Sequence, residues 1–362
     1  MEKKKVGILT FHRADNYGAA LQCYALQEVI KSMGHSVEII NYKQPYIENF
    51  YKPTTGRQLC KVLKRPRWYY GFFIKELKPQ IAKHLKYKYF RARYLNTGTP
   101  FSYMSETPCK YSTILIGSDQ VWSLHCTGGI DEMFFGEFPH NNCKLVGYGI
   151  SGNIQSLEEV GDERLAKYCK NFDRLSFREE SIKEHIENHI NISGTLVLDP
   201  TLLLEKNKWE ELAKNTKSKK NYVLTYFLHN KSCTPDIDIL VEKFAKENGC
   251  KLIDIFDVAQ SPTEFLSWIK NAQYVITTSY HATIFSIIFE KQFYSIKTNN
   301  GHDARYSNLL SKLNIAERAI ETAELLNTGS STIDYTKVKA ELSKHKEASL
   351  EYLKWVLMTD KP

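Results

Sequence analysis

The chain has 362 residues, 42% of them hydrophobic and 25% charged, with a formal net charge of +8. That length can bury a sizeable core and points to two domains, and the composition excludes disordered, collagenous and disulfide-framed classes. No apolar span reaches ~18 residues, so no transmembrane helix is expected. The eight cysteines are scattered without a C-x-x-C pair, which argues against a zinc site and suits a reducing cytoplasm.

From Met1 the chain passes through Lys3-Lys4-Lys5 into Val6–Phe11, a run too short for a signal peptide and better read as a first strand. Lys5–Thr10 predicts a buried strand, and Phe11–Gly18 a loop. Ala19–Met33 carries apolar residues at Leu21, Ala25, Leu26, Val29 and Ile30, the spacing of a helix that Gly34 closes. Val37–Asn41 gives a second strand and completes a βαβ unit. It lacks G-x-G-x-x-G, so no dinucleotide site is expected.

The charge is uneven. Residues 51–95 hold thirteen Lys/Arg against one acid, Glu76, a local balance of +12 that leaves −4 for the rest. Ten aromatics are interleaved there, and a helix is expected from about Trp68 to Arg93. Three readings fit such a segment. It can be a solvated helical face, a surface for an anionic membrane or lipid-linked ligand, or a nucleic-acid contact. The membrane or carrier reading singles out Lys64, Arg65, Arg67, Trp68, Lys86 and Lys88.

Ile114–Trp122 is a strand running into the polar turn at Asp119, and Leu145–Ile150 is another, ending at Ser151-Gly152-Asn153. Leu157–Asn171 reads as one helix, Glu179–Asn188 as a second, and Thr195–Leu198 as a strand stopped by Asp199-Pro200. Polar turns at the ends of strands in one lobe face a common cleft. A lysine-rich linker, Lys214–Lys220, precedes a second α/β half. Its strands are expected at Tyr222–Leu228, Lys251–Phe256, Tyr274–Thr278 and Gln292–Lys297, with helices near Asp236–Asn248, Pro262–Asn271 and His281–Phe289. The predicted organisation is an N-terminal lobe over 1–206 with its basic-aromatic insertion, a C-terminal lobe over 207–330, and a helix over 335–362 able to cross back onto the first lobe. The Ser279-Tyr280-His281 corner joins a strand to a helix N-terminus, a ready seat for an anion.

These pieces together resemble the polysaccharide pyruvyl transferase family. The resemblance rests on Asn16-Tyr17-Gly18-Ala19-x-Leu21-Gln22-x-Tyr24-Ala25-Leu26, Gly117–Trp122, Ser176-Phe177-Arg178-Glu179, Asp199-Pro200, Ser279-Tyr280-His281 and the stretch from Arg305 to Leu310. It implies an α/β fold of two Rossmann-like lobes facing a central cleft, GT-B-like. It further implies transfer of the enolpyruvyl group of phosphoenolpyruvate to a sugar as a ketal, with release of phosphate. Two positions depart from the family's pattern. Ala19 stands where many members carry an acid, and Ser279-Tyr280-His281 stands where many read Ser-Arg-Leu-His.

Phosphoenolpyruvate carries a carboxylate and a phosphate, which guanidinium forks bind well. The expected roles are therefore His281 as general acid to the methylene carbon, Arg178 and Arg305 as anion ligands from the two lobes, and Ser279 as a hydrogen-bond donor to phosphate. Asn16, Gly18, Asp119 and Ser151 are expected to line the cleft, while Asp199 is expected to hold a loop. A helix N-terminus disfavours an imidazolium at His281, and two substrate anions favour it. His12, His125 and His302 show no metal-ligand spacing, and neither metal nor cofactor is required. The expected partners are phosphoenolpyruvate and a sugar on a lipid diphosphate, met in the cytoplasm or at the inner membrane face, with no nucleic acid. Competing readings are a GT-B glycosyltransferase using a nucleotide sugar and a non-catalytic carbohydrate-binding protein.

Overall fold

The computed structural model describes residues 4–53, 77–102, 110–140, 143–213, 221–228, 236–299, 303–328 and 332–359. Two all-parallel sheets carry the architecture. In the first lobe these strands are β1 (Lys5–Leu9), β2 (Ser36–Ile39), β3 (Thr113–Asp119), β4 (Lys144–Ile150), β5 (Arg174–Phe177) and β6 (Thr195–Leu196), in the order β2-β1-β3-β4-β5-β6. The second lobe has β7 (Tyr222–Tyr226), β8 (Lys251–Asp254), β9 (Tyr274–Thr277), β10 (Gln292–Ile296) and β11 (Ala319–Ile320), in the order β11-β10-β9-β7-β8. Parallel strands need crossovers that cover both faces, so central strands become continuous apolar runs. β3 and β4 accordingly have every residue buried.

The helices that matter to the cleft are α1 (Tyr17–Ser32), α2 (Pro45–Tyr51), α3 (Lys78–Tyr94), α4 (Ile154–Val160), α5 (Asp162–Cys169), α6 (Glu180–His185), α7 (Lys206–Leu212), α8 (Ile237–Glu247), α9 (Pro262–Asn271), α10 (Tyr280–Ile288), α11 (Ala304–Lys312) and α12 (Tyr335–Met358). The lobes share one core. Tyr17 of α1 stacks on Phe265 of α9 at 4.5 Å and donates its hydroxyl to the Ala259 carbonyl at 2.6 Å. Tyr24 meets Trp209, which in turn meets Phe285, so a continuous apolar cluster ties α1 to α7 and α10.

α12 starts on the second lobe and ends on the first. The Tyr335 hydroxyl donates to the Ser286 carbonyl, whereas Ser349 accepts from the Leu198 amide at 2.9 Å. At its last turn the buried Lys144 ammonium donates to the Val356 carbonyl at 2.9 Å and to the Thr359 hydroxyl at 2.6 Å. A lysine from a strand thus caps the helix's unsatisfied carbonyls.

Several expected boundaries change. The single helix expected over Leu157–Asn171 is two, α4 and α5, broken at Gly161, whose φ of +82° suits glycine. β8 stops at Asp254 instead of Phe256, because the Asp254 carboxylate accepts from the Phe256 amide at 2.8 Å and starts a helical turn. The helix after Glu179 winds into a π-turn, Ile186–Ile190. The lysine-rich linker and residues 54–76, with Lys64, Arg65, Arg67 and Trp68, lie outside the described residues.

The described part of the basic segment packs partly into the core. α3 buries Tyr87 and Phe90 in the shared core, and Lys86 reaches Glu264 of the second lobe at 2.7 Å. Arg91 likewise holds Asp15 at 2.8 Å. Lys86 therefore pairs across the two lobes, while Lys88 is exposed. Among the described residues no helix is long and apolar enough to cross a bilayer.

Candidate active site

A cavity of about 360 Å³ opens between the carboxyl ends of the two sheets. Its first-lobe wall comes from the loop after β1, the start of α1, α2 and the Asp119 turn. Its second-lobe wall comes from Thr278, Ser279, Tyr280 and His281 with Arg305. This is the crevice beyond the strand ends where open α/β folds take ligands.

His281 is placed by a cap. Ser279 follows the strand as the helix cap, its amide donating to the Thr277 hydroxyl at 2.9 Å, and its own hydroxyl accepts from the Ala282 amide at 3.4 Å. α10 then begins at Tyr280, so His281 is its second residue and the ring projects toward the other lobe. There it packs on Gly18 in the first turn of α1. A Cβ on Gly18 would lie 2.0 Å from His281 Nδ1. Gly18 is thus required by close approach, not by an unusual backbone angle. Asn16 caps α1, its Oδ1 accepting from the Ala19 amide at 3.1 Å. Two helix N-termini, α1 and α10, therefore converge on one cavity, and both favour negative charge in it.

Behind the ring stands Asp199, fully buried. Its Oδ2 lies 3.6 Å from His281 Nε2, too long for a hydrogen bond, and 2.6 Å from Arg178 Nη1. Its Oδ1 accepts from the Thr201 amide at 2.9 Å and the Thr201 hydroxyl at 2.6 Å. Burial alone would raise this carboxyl, but the His281 ring, Arg178 and Thr201 hold it well below the usual carboxylate range. Asp199 is therefore an anion, aimed at His281 Nε2, a buried nitrogen without a hydrogen-bond partner. The expectation that it only holds a loop is incomplete, since the same carboxylate also addresses the histidine.

Arg178 and Ser151, expected as substrate ligands, stand apart from the lining of this cavity. Both are buried behind His281 and neither lines the 360 Å³ cavity. Arg178 donates through Nη1 to Asp199, through Nη2 to the Ser151 hydroxyl at 2.8 Å, and through Nε to Glu179 at 3.0 Å. Its guanidinium also lies 4.6 Å from the centre of the Tyr280 ring. Burial works against its charge, but Glu179 and the other anionic neighbours outweigh that and push its pKa up. A guanidinium so engaged holds the Asp199–His281 pair in place.

Arg305 does face the cavity. It sits in the first turn of α11, after a loop that Asp303 ties down by accepting from the Thr298 amide at 2.9 Å and the Tyr306 hydroxyl at 2.5 Å. Burial first, then the nearby Arg178, lower its pKa from the ordinary arginine value. Glu179 and Asp119 act on it in the opposite sense. Asp119 lines the opposite wall at φ +89°, a backbone region rare for L residues, with its carboxylate accepting from the Gln120 amide at 2.9 Å.

Sequence reasoning missed the aromatic wall. Phe11, Tyr46, Phe50, Tyr51, Tyr226 and Tyr280 all line the cavity, and Tyr46 stacks on Phe50 at 6.0 Å. The i,i+4 pair Tyr46–Phe50 after Pro45 was a readable signal of a short helix with an aromatic face.

No curated protein sequence matches the chain at a significant level. Among solved structures, the S. aureus MnaA–UDP co-structure superposes with a TM-score of 0.53 at 11% identity, covering 99% of each chain. The UDP-N-acetylglucosamine 2-epimerase from Rickettsia bellii gives 0.50 at 11% identity, again over 99% of each chain. At such identity the likeness is one of fold, and that fold is the GT-B-like arrangement of two parallel-sheet lobes. The model of one sequence family matches residues 16–300, from the α1 cap through the His281 corner to the loop before Arg305. The chain belongs to the polysaccharide pyruvyl transferase family.

Proposed function

We propose that the chain moves the enolpyruvyl group of phosphoenolpyruvate onto two hydroxyls of one sugar residue as a pyruvate ketal, releasing inorganic phosphate. The observation that carries this reading is the single cavity where His281, backed by the Asp199 carboxylate, meets Arg305 and two helix N-termini. The donor's two anions need such a positive rim. His281 would give its proton to the methylene carbon, forming the methyl C–H bond and leaving an oxocarbenium-like centre at C2. A sugar hydroxyl adds there, the C2–O bond to phosphate breaks, and a second hydroxyl of the same sugar closes the ketal. One hydroxyl proton replaces the one His281 gave, and the other leaves on phosphate. Asp199 orients the ring and balances the imidazolium while it exists.

For the acceptor we propose a galactose-type residue of a lipid-diphosphate-linked oligosaccharide, in capsule or exopolysaccharide assembly at the inner membrane face. The aromatic wall of Tyr46, Phe50 and Tyr51 suits the apolar faces of a sugar ring. Lys64, Arg65, Arg67 and Lys88 would meet the carrier diphosphate or anionic lipid.

The test is incubation with phosphoenolpyruvate and lipid-linked galactose-containing acceptors, followed by mass spectrometry for pyruvyl addition. Product with the wild-type chain and none with His281→Ala is the expected result. No product with any acceptor, combined with thermal stabilisation by nucleoside diphosphates and not by phosphoenolpyruvate, would replace this reading with a nucleotide-sugar one. A His281→Ala chain that kept full function would instead mark a carbohydrate-binding protein.

A further inference from the structure

A second cluster of chemically active side chains lies outside the cavity-lining set. His185 ends α6, His189 lies four residues on in the π-turn, and Asp162 is the first residue of α5. One ligand atom from each lies within 4.8 Å of the others, and His189 Nδ1 is 3.5 Å from Asp162 Oδ2. The two imidazoles lie face to face, centroids 4.3 Å apart and planes 15° from parallel. His185 is only 8% exposed, and its Nε2 is buried without a hydrogen-bond partner. A buried polar nitrogen left unpaired costs free energy, so it calls for an explanation.

We propose that Asp162, His185 and His189 bind a divalent transition metal of the zinc class. Two imidazoles and a carboxylate are a known zinc donor set, leaving water the fourth position. Donors around tetrahedral zinc, each about 2.0–2.2 Å from the ion, stand roughly 3.5 Å apart. The His189–Asp162 pair already has that spacing. His189 and Asp162 are exposed enough to rotate inward toward the fixed His185. Glu158, on the preceding helix, adds negative potential beside His185 and assists the cation. The scattered cysteines argued against zinc, but here the donors are imidazole and carboxylate, at a spacing that places two histidines on one helical face. Such an ion would pin the α4–α5 junction to the far end of α6, the helix that opens just after Arg178 and Glu179. The π-turn fits this role, since such turns recur at functional sites.

The experiment is calorimetric titration of tag-free full-length chain with zinc chloride, beside the His189→Ala and Asp162→Asn variants. Both substitutions are at exposed positions, and melting curves in chelator check that each variant folds. The expected result is one equivalent bound by the wild type, with affinity at least about tenfold weaker in each variant. Cobalt substitution should give a visible spectrum without a thiolate charge-transfer band. Zinc uptake unchanged by both variants, a thiolate band, or no binding by the wild type would each overturn the proposal.

Discussion

Replacing Gly18 with alanine separates the geometry of the site from the stability of the fold. Gly18 lies in the first turn of α1, and its φ is not in the left-handed region, so alanine meets no backbone strain. Helix propensity favours alanine by up to about 1 kcal/mol. The new Cβ would nevertheless sit 2.0 Å from His281 Nδ1 and 2.5 Å from Cε1 and Cγ, against an ordinary contact of 3.4 Å or more. The ring must retreat by about 1.4 Å, the difference between those two distances, or turn out of its place before Asp199. A displacement of about 1 Å at reacting atoms costs on the order of 10²-fold in rate. The expected outcome is a melting temperature within a degree or two of wild type and a kcat for phosphate release from phosphoenolpyruvate, with acceptor present, down about 100-fold. Full activity with the fold intact would refute the placement of His281 against α1. A collapse in stability would refute the reasoning that only the ring stands in the way.

Arg305→Ala should raise the KM for phosphoenolpyruvate by about 10–100-fold, the worth of a charge-assisted contact, with a smaller effect on kcat in steady-state assays. Asp199→Asn leaves Arg178 buried without its closest counter-charge. It should lower stability by about 3 kcal/mol in urea melts and cut kcat without a matching rise in KM. His12 is buried between Asn41 and the Thr10 carbonyl, and burial lowers its pKa from 6.5 to about 4. Because the unfolded chain takes up that proton first, the contribution is intact above pH 6.5 and is lost as pH falls from 6.5 to about 4, by about 3 kcal/mol in all. Denaturant melts across that window should show the loss, and His12→Gln, which cannot titrate, should flatten it.

Much of the fold was legible because parallel strands buried on both faces must be apolar runs. Val6–Leu9, Leu145–Ile150 and Val275–Thr277 announce themselves that way, and Asn16 and Ser279 mark the helix starts that aim at the cleft. What local pattern could not carry was any pairing across the chain. Asp199 reads as the end of a strand before proline, and only the closing of the lobes brings it to His281. Arg178 reads as a cation at a strand end, well placed for a substrate, until Asp199, Glu179 and Ser151 are seen around it. Gly161 interrupts an apolar periodicity that continues on both sides, so two helices look like one. α3 illustrates a further limit. A helix with aromatics on one face and cations on the other fits a membrane surface or a protein core equally well, and Tyr87 and Phe90 chose the core.

The short histidine motif is the place where these strands of reasoning meet. At this corner the chain reads Ser279-Tyr280-His281, with no arginine between the serine and the histidine. The tyrosine ring does not replace a charge, but it lies under the Arg178 guanidinium at 4.6 Å, within reach of a cation–π contact. Arg178 in turn holds Asp199, and Asp199 faces His281. Tyr280 is thus part of the support for the proposed proton-transferring group. The motif itself brings no arginine or lysine to the cavity. The remaining sources at the cavity are Arg305 and the two helix N-termini. A dianionic donor seated there would meet Arg305 directly, so donor affinity should depend on Arg305 more than on any residue of the motif.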